Sequence, residues 1–104
     1  MQFDESANNQ VVTVKANDEF SLVLPEARTA GYRWALKNDH EPACMLLEET
    51  SQPNQAGVGG AGHHSWRFRA AAPGACEIQL QYARPWEGSS EPAKTFRMKV
   101  QVRP

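Results

Sequence analysis

An all-β sandwich of about seven short strands is the fold class this chain predicts. Apolar and polar residues alternate with a period of two in most segments, which places successive side chains on opposite faces of a half-buried strand. Clusters of Gly, Pro, Asn and Asp punctuate those segments where tight connections would fall. No segment keeps a helical period over about ten residues.

The strands follow in order. Val11 to Val14 is a short β-branched run, suited to a pleated surface. Phe20, Leu22 and Leu24 form the second strand, and Tyr32, Trp34 and Leu36, between Arg33, Ala35 and Lys37, form the third. Cys44 to Leu47 is continuously apolar and runs into Glu48-Glu49-Thr50, so it reads as a fourth strand of ambiguous phase. Trp66 and Phe68, flanked by Ser65, Arg67 and Arg69, make the fifth. The pair Pro73-Gly74 marks a turn before the sixth, in which Cys76, Ile78, Leu80 and Tyr82 share one face. Phe96, Met98, Val100 and Val102 alternate with charged or amide residues in the seventh.

Seven strands with these turn signals predict two antiparallel sheets packed face to face in an immunoglobulin-like sandwich. Trp34 and Tyr82 have the inward parity of their strands, which fits that architecture. Alternate connections then emerge at the same end, because each follows a strand running in the same sense. Three connections share that rim: Ala27-Arg28-Thr29-Ala30-Gly31, a segment from about Gln52 to His63 containing Gly57-Val58-Gly59-Gly60, and one from about Arg84 to Pro92. Long connections in a compact domain tend to be functional or disordered.

In the last of these, Pro85 cannot donate to a sheet ladder, so the sixth strand ends near it and Trp86 falls on a connection facing water. A large amphipathic ring stiffened by the preceding proline is either a recognition anchor or a lid folded over the end of the sandwich. The glycine-rich segment is either a flexible linker or a place where backbone approaches a partner closely. It is no phosphate cradle, since no Lys-Ser/Thr pair and no helix follow it.

With 104 residues there is room for one domain, residues 1–104, whose core needs no metal or disulfide. A net charge of −1 offers no strongly basic balance for nucleic acid or an anionic membrane, and neither is expected as a partner. The segment Met1-Gln2-Phe3-Asp4-Glu5 lacks a basic start followed by an apolar stretch. Two compartments stay open: the cytoplasm, or a periplasmic or secreted form whose leader has been removed. Cys76 shares the inward parity of Ile78, as a buried free thiol or as one half of a bridge to Cys44 if their strands face each other across the sandwich.

Enzymatic readings find little support. A nucleophilic cysteine needs a histidine in reach and an exposed site that lowers its pKa, yet Cys76 points inward and Cys44 lies in an apolar run. His40, His63 and His64 form an incomplete metal set and read as solvated loop residues; Glu48-Glu49 and Asp39/Glu41 read as surface charge. No cofactor or metal is expected, and the chain is read as a monomer.

The combination Leu24-Pro25-Glu26, Thr29-Ala30-Gly31-Tyr32-Arg33-Trp34, Gly57-Val58-Gly59-Gly60 and Tyr82-Ala83-Arg84-Pro85-Trp86-Glu87 resembles the chagasin family of cysteine-peptidase inhibitors in order and spacing. The resemblance implies an immunoglobulin-like domain that binds papain-like cysteine peptidases reversibly. The first rim connection would enter the catalytic cleft, while the glycine-rich one and Arg84-Pro85-Trp86 would clasp its sides. Thr29 would then sit nearest the peptidase's catalytic Cys and His.

Where the family reads Asn-Pro-Thr-Thr-Gly, this chain has Ala27, Arg28, Thr29, Ala30 and Gly31, keeping only Thr29 and Gly31. Losing Asn and Pro removes a turn-forming side chain and a fixed φ, which loosens the loop. Arg28 brings a charge whose desolvation costs about 1 to 3 kcal/mol or more unless the peptidase offers a carboxylate. The competing reading is a non-inhibitory immunoglobulin-like module that recognises another protein or a glycan through the same loops, since this sandwich hosts many functions.

Overall fold

The computed structural model describes residues 1–26, 31–37, 43–52, 62–84 and 92–104. These residues form eight strands: β1 (Gln2–Phe3), β2 (Gln10–Lys15), β3 (Glu19–Glu26), β4 (Arg33–Leu36), β5 (Cys44–Gln52), β6 (Gly62–Ala70), β7 (Gly74–Ala83) and β8 (Lys94–Arg103). They lie in two four-stranded sheets, ordered β1-β3-β6-β5 and β2-β8-β7-β4. All seven predicted strands are present. The eighth, β1, is two residues long, too short to show a period in the sequence.

Period-two patterning decides what is buried. In β8 the inward Phe96, Met98, Val100 and Val102 are buried while Arg97, Lys99, Gln101 and Arg103 are exposed. Facing them across the sandwich, β3 and β6 contribute Phe20, Leu22, Leu24, Trp66 and Phe68 to the same core. The rings of Phe20 and Phe68 stack at 5.3 Å, a packing that adds about 0.5 to 1.5 kcal/mol beyond burial alone. On the outer face, Arg67 bonds Glu19 on β3 and reaches Glu48 on β5, tying neighbouring strands with exposed pairs of small energetic value.

Three features differ from a purely antiparallel reading of the alternation. Strand β2 runs parallel to β8, from Gln10 beside Met98 to Lys15 beside Arg103, and β1 runs parallel to β3. No hairpin joins either pair, so no short connection imposes the antiparallel sense. Strand β5 continues through Glu48 and Glu49 to Gln52, with a register shift between Leu46 and Glu48. That β-bulge explains the ambiguous phase: one extra residue lets Leu46 and Glu49 both follow inward-facing partners, Phe68 and Trp66, although three positions separate them.

The two cysteines are bridged. Cys44 opens β5 in one sheet and Cys76 lies on β7 in the other, with Cα atoms 6.2 Å apart and both residues 5% exposed. The disulfide staples the two sheets directly. Replacing both cysteines by alanine should destabilise the fold by about 2 to 3 kcal/mol, lowering the melting temperature by roughly 10 to 15 °C. A thermal melt with and without reductant measures this, and coincident curves would show that the bridge adds nothing.

Candidate functional site

Strand register fixes where the three rim connections start and stop. At one end of the first sheet Glu26 of β3 stands opposite Gly62 of β6, and Gln52 of β5 stands opposite His63. In the second sheet Arg33 of β4 stands opposite Ala83 of β7, and Tyr82 opposite Lys94 of β8. The sheets meet here: the Trp34 indole N–H donates to the Pro25 carbonyl at 2.9 Å, and the Trp34 backbone N–H donates to Glu26 Oε2 at 2.9 Å. The feet of all three connections therefore belong to one end of the sandwich. The disulfide is at the other, where Cys44 pairs with Ala70.

Of the twelve candidate site residues, Ala27, Arg28, Thr29, Ala30, Gly57, Val58, Gly59, Gly60, Pro85 and Trp86 lie outside the described residues. Gly31 and Arg84 are described. Gly31 has φ of 86°, a left-handed conformation that strains any residue with a Cβ, so the chain re-enters β4 through a turn that only glycine makes easily. Arg84 places its guanidinium carbon 4.7 Å from the centre of the Tyr32 ring. Tyr32 stacks on Tyr82 at 5.1 Å, and Tyr82 packs against Trp34 at 4.7 Å with the ring planes tilted by 33°. A staircase of three rings thus climbs from the core to the rim and holds Arg84 by a cation–π contact at its top step.

A second cluster at this end was not foreseen. His64 is no solvated loop residue: β6 begins at Gly62, and His64 shares the inward parity of Trp66 and Phe68. It is 6% exposed and lies flat on the Trp66 ring, with centroids 4.2 Å apart and planes 6° from parallel. Its Nδ1 is 2.7 Å from Glu26 Oε2 and its Nε2 is 2.7 Å from Glu49 Oε2. Glu49, read from the sequence as surface charge, is turned toward His64 by the phase change at the bulge. His63, the neighbour of opposite parity, is exposed.

Glu26 is the centre of this cluster and is fully buried. Besides His64, it accepts hydrogen bonds from the Trp34 backbone N–H and, at 2.7 Å, from the Ser51 hydroxyl. Burial by itself would push its carboxyl up. The hydrogen bonds from His64, Ser51 and the Trp34 amide, with the adjacent His64 charge, outweigh that and hold it below its ordinary value. The sequence carried one signal for it: Glu26 continues the inward parity of Leu22 and Leu24.

A family model described as chagasin family peptidase inhibitor I42 matches residues 13–100. Chagasin from Trypanosoma cruzi is 23% identical over 94 residues, spanning 86% of each chain. Among solved structures, the fold is similar to that of the cysteine protease inhibitor EhICP2 from Entamoeba histolytica, with a TM-score of 0.84 at 20% identity over 98% of this chain and 93% of that one. It is also similar to amebosin, with a TM-score of 0.73 at 25% identity over 99% and 97% of the two chains. PbICP-C, solved in complex with falcipain-2, superposes with a TM-score of 0.66 at 18% identity, over 99% of this chain and 90% of that one.

Proposed function

The chain belongs to the chagasin family of peptidase inhibitors, and from that premise we propose that it reversibly inhibits papain-like cysteine peptidases by filling the active-site cleft from one end of its sandwich. The observation that carries this reading is the common end from which the three rim connections leave, within a chain matched by the family over residues 13–100. In this reading residues 27–31 form the wedge, while residues 57–60 and 84–86 clasp the sides of the cleft. The complex of PbICP-C with falcipain-2 supplies a precedent among proteins of similar fold.

The inhibitor escapes cleavage because attack on a peptide bond requires a near-attack pose, with the thiolate aligned on the scissile carbonyl. A loop fixed at both feet need not supply one. Here the Trp34 contacts with Pro25 and Glu26 pin one foot, and the left-handed Gly31 sets the other. Fixed feet also reduce the ordering cost of association. They compensate in part for the Asn and Pro that positions 27 and 28 lack. Arg28 would select peptidases with a carboxylate in the cleft.

The disulfide favours the exported form over the cytoplasm, since such bridges form and persist in oxidising compartments. The decisive experiment is a titration of papain with the purified protein against a small fluorogenic substrate. Activity should fall reversibly, and the added protein should stay intact on a gel. No inhibition of papain or of cathepsin-type enzymes at about micromolar concentration, where specific complexes are normally formed, would point to a binding module instead.

A further inference from the structure

We infer that His64 is a positioning residue for the inhibitory end of the molecule, and that binding is strongest when its ring carries both protons. The inference rests on the inhibitor reading above and concerns how that same site is held. Its basis is geometric. Each ring nitrogen lies 2.7 Å from a carboxylate oxygen, Nδ1 from Glu26 and Nε2 from Glu49. An ionised carboxylate only accepts hydrogen bonds, whereas a neutral imidazole has one N–H and one lone pair. Both contacts are hydrogen bonds together only in the imidazolium.

The cluster sits where it bears on two of the three connections. Glu26 is the residue immediately before position 27. Ser51, bonded to the same carboxylate, lies next to Gln52 at the end of β5, and His64 lies two residues inside the start of β6. Trp34, whose N–H completes the set, brings β4 of the other sheet onto Glu26. One protonated ring and one buried carboxylate therefore fasten four strand ends. Among the described residues, the charged groups facing the ring are Glu26 from β3 and Glu49 from β5, while Trp66 of β6 covers its face.

The two carboxylates respond differently when the ring loses a proton. A lone pair then faces a carboxylate oxygen at hydrogen-bond distance, and one contact must open. Glu26 has a fully buried side chain and further bonds from Ser51 and Trp34, so it stays. The Glu49 side chain is 43% exposed and can turn into water. The last residues of β5 thereby lose a tie to β6, and the connection that starts at Gln52 leaves from a less defined foot. Binding must then supply the missing order.

The test measures inhibition constants of the wild type, His64→Gln and Glu49→Gln against one peptidase from about pH 5 to about pH 8. Dividing variant by wild-type values at each pH cancels the peptidase's own titration. The advantage of the wild type over His64→Gln should be largest at the acid end and shrink by about fivefold or more toward the alkaline end, a typical coupling between linked sites. Glu49→Gln, changed at a half-exposed position, should fold normally and show the same shrinking advantage. Ratios that stay constant across the range for both variants would reduce His64 to a structural residue and overturn the inference alone. A wild-type protein that inhibits at no pH would sink the inhibitor reading and this inference with it.

Discussion

Replacing Trp86 with alanine is expected to weaken peptidase binding by about 2 to 4 kcal/mol, roughly 30- to 1,000-fold in the inhibition constant, and to leave the melting temperature unchanged. The two halves of that expectation have separate grounds. Tryptophan and arginine are the residue types most often responsible for hot spots, and Arg84 and Trp86 stand on the same connection. Among the described residues, the rings of Trp34, Tyr82 and Tyr32 pack in series under Arg84, and Trp34 is locked to Pro25 and Glu26. These contacts among the described residues are the ground for expecting an unchanged melting temperature. Inhibition assays run beside thermal melts separate the two effects. A lowered melting temperature with undiminished inhibition would identify Trp86 as a lid and remove the clasp of residues 84–86 from the proposed interface.

The strands were legible because each buries one face against the other sheet, and a half-buried strand writes its burial into every second residue, as β3 and β8 do. What was hidden depends on contacts between strands. The bulge in β5 shifts the phase midway, so Glu48 and Glu49 look alike in sequence, yet Glu48 pairs with Arg67 on the surface and Glu49 with buried His64. The disulfide needs two strands from different sheets to meet, which spacing along the chain does not encode. Glu26 and His64 were missed because polar residues carry no apolar signal at inward positions; only their parity with Leu24 and Trp66 marks them. The rim motifs were found by family resemblance rather than by periodicity, since connections have none.

Glu26→Ala should lower folding stability by about 3 to 5 kcal/mol, the usual consequence of removing one partner from a buried charged pair. The loss has a definite structural content. Without the carboxylate, the Trp34 N–H, the Ser51 hydroxyl and His64 Nδ1 each lose the acceptor they use at this buried position. Glu26→Gln keeps the volume and one acceptor oxygen, so its penalty should be smaller, about 1 to 3 kcal/mol. The same carboxylate gives the protein an acid sensitivity whose sign follows from its shift. Its native pKa lies below the ordinary 4.5, so the unfolded chain binds the proton more readily. The stability that Glu26 contributes is therefore complete above about pH 4.5 and drains away as the pH falls through the lower native value. Urea unfolding at several pH values between about 6 and 3 should show the wild type losing stability more steeply than Glu26→Gln, which has no such group to titrate. Parallel slopes for the two proteins would mean that the Glu26 carboxylate is not preferentially ionised in the native state, and that the bonds from His64, Ser51 and Trp34 do not hold it so.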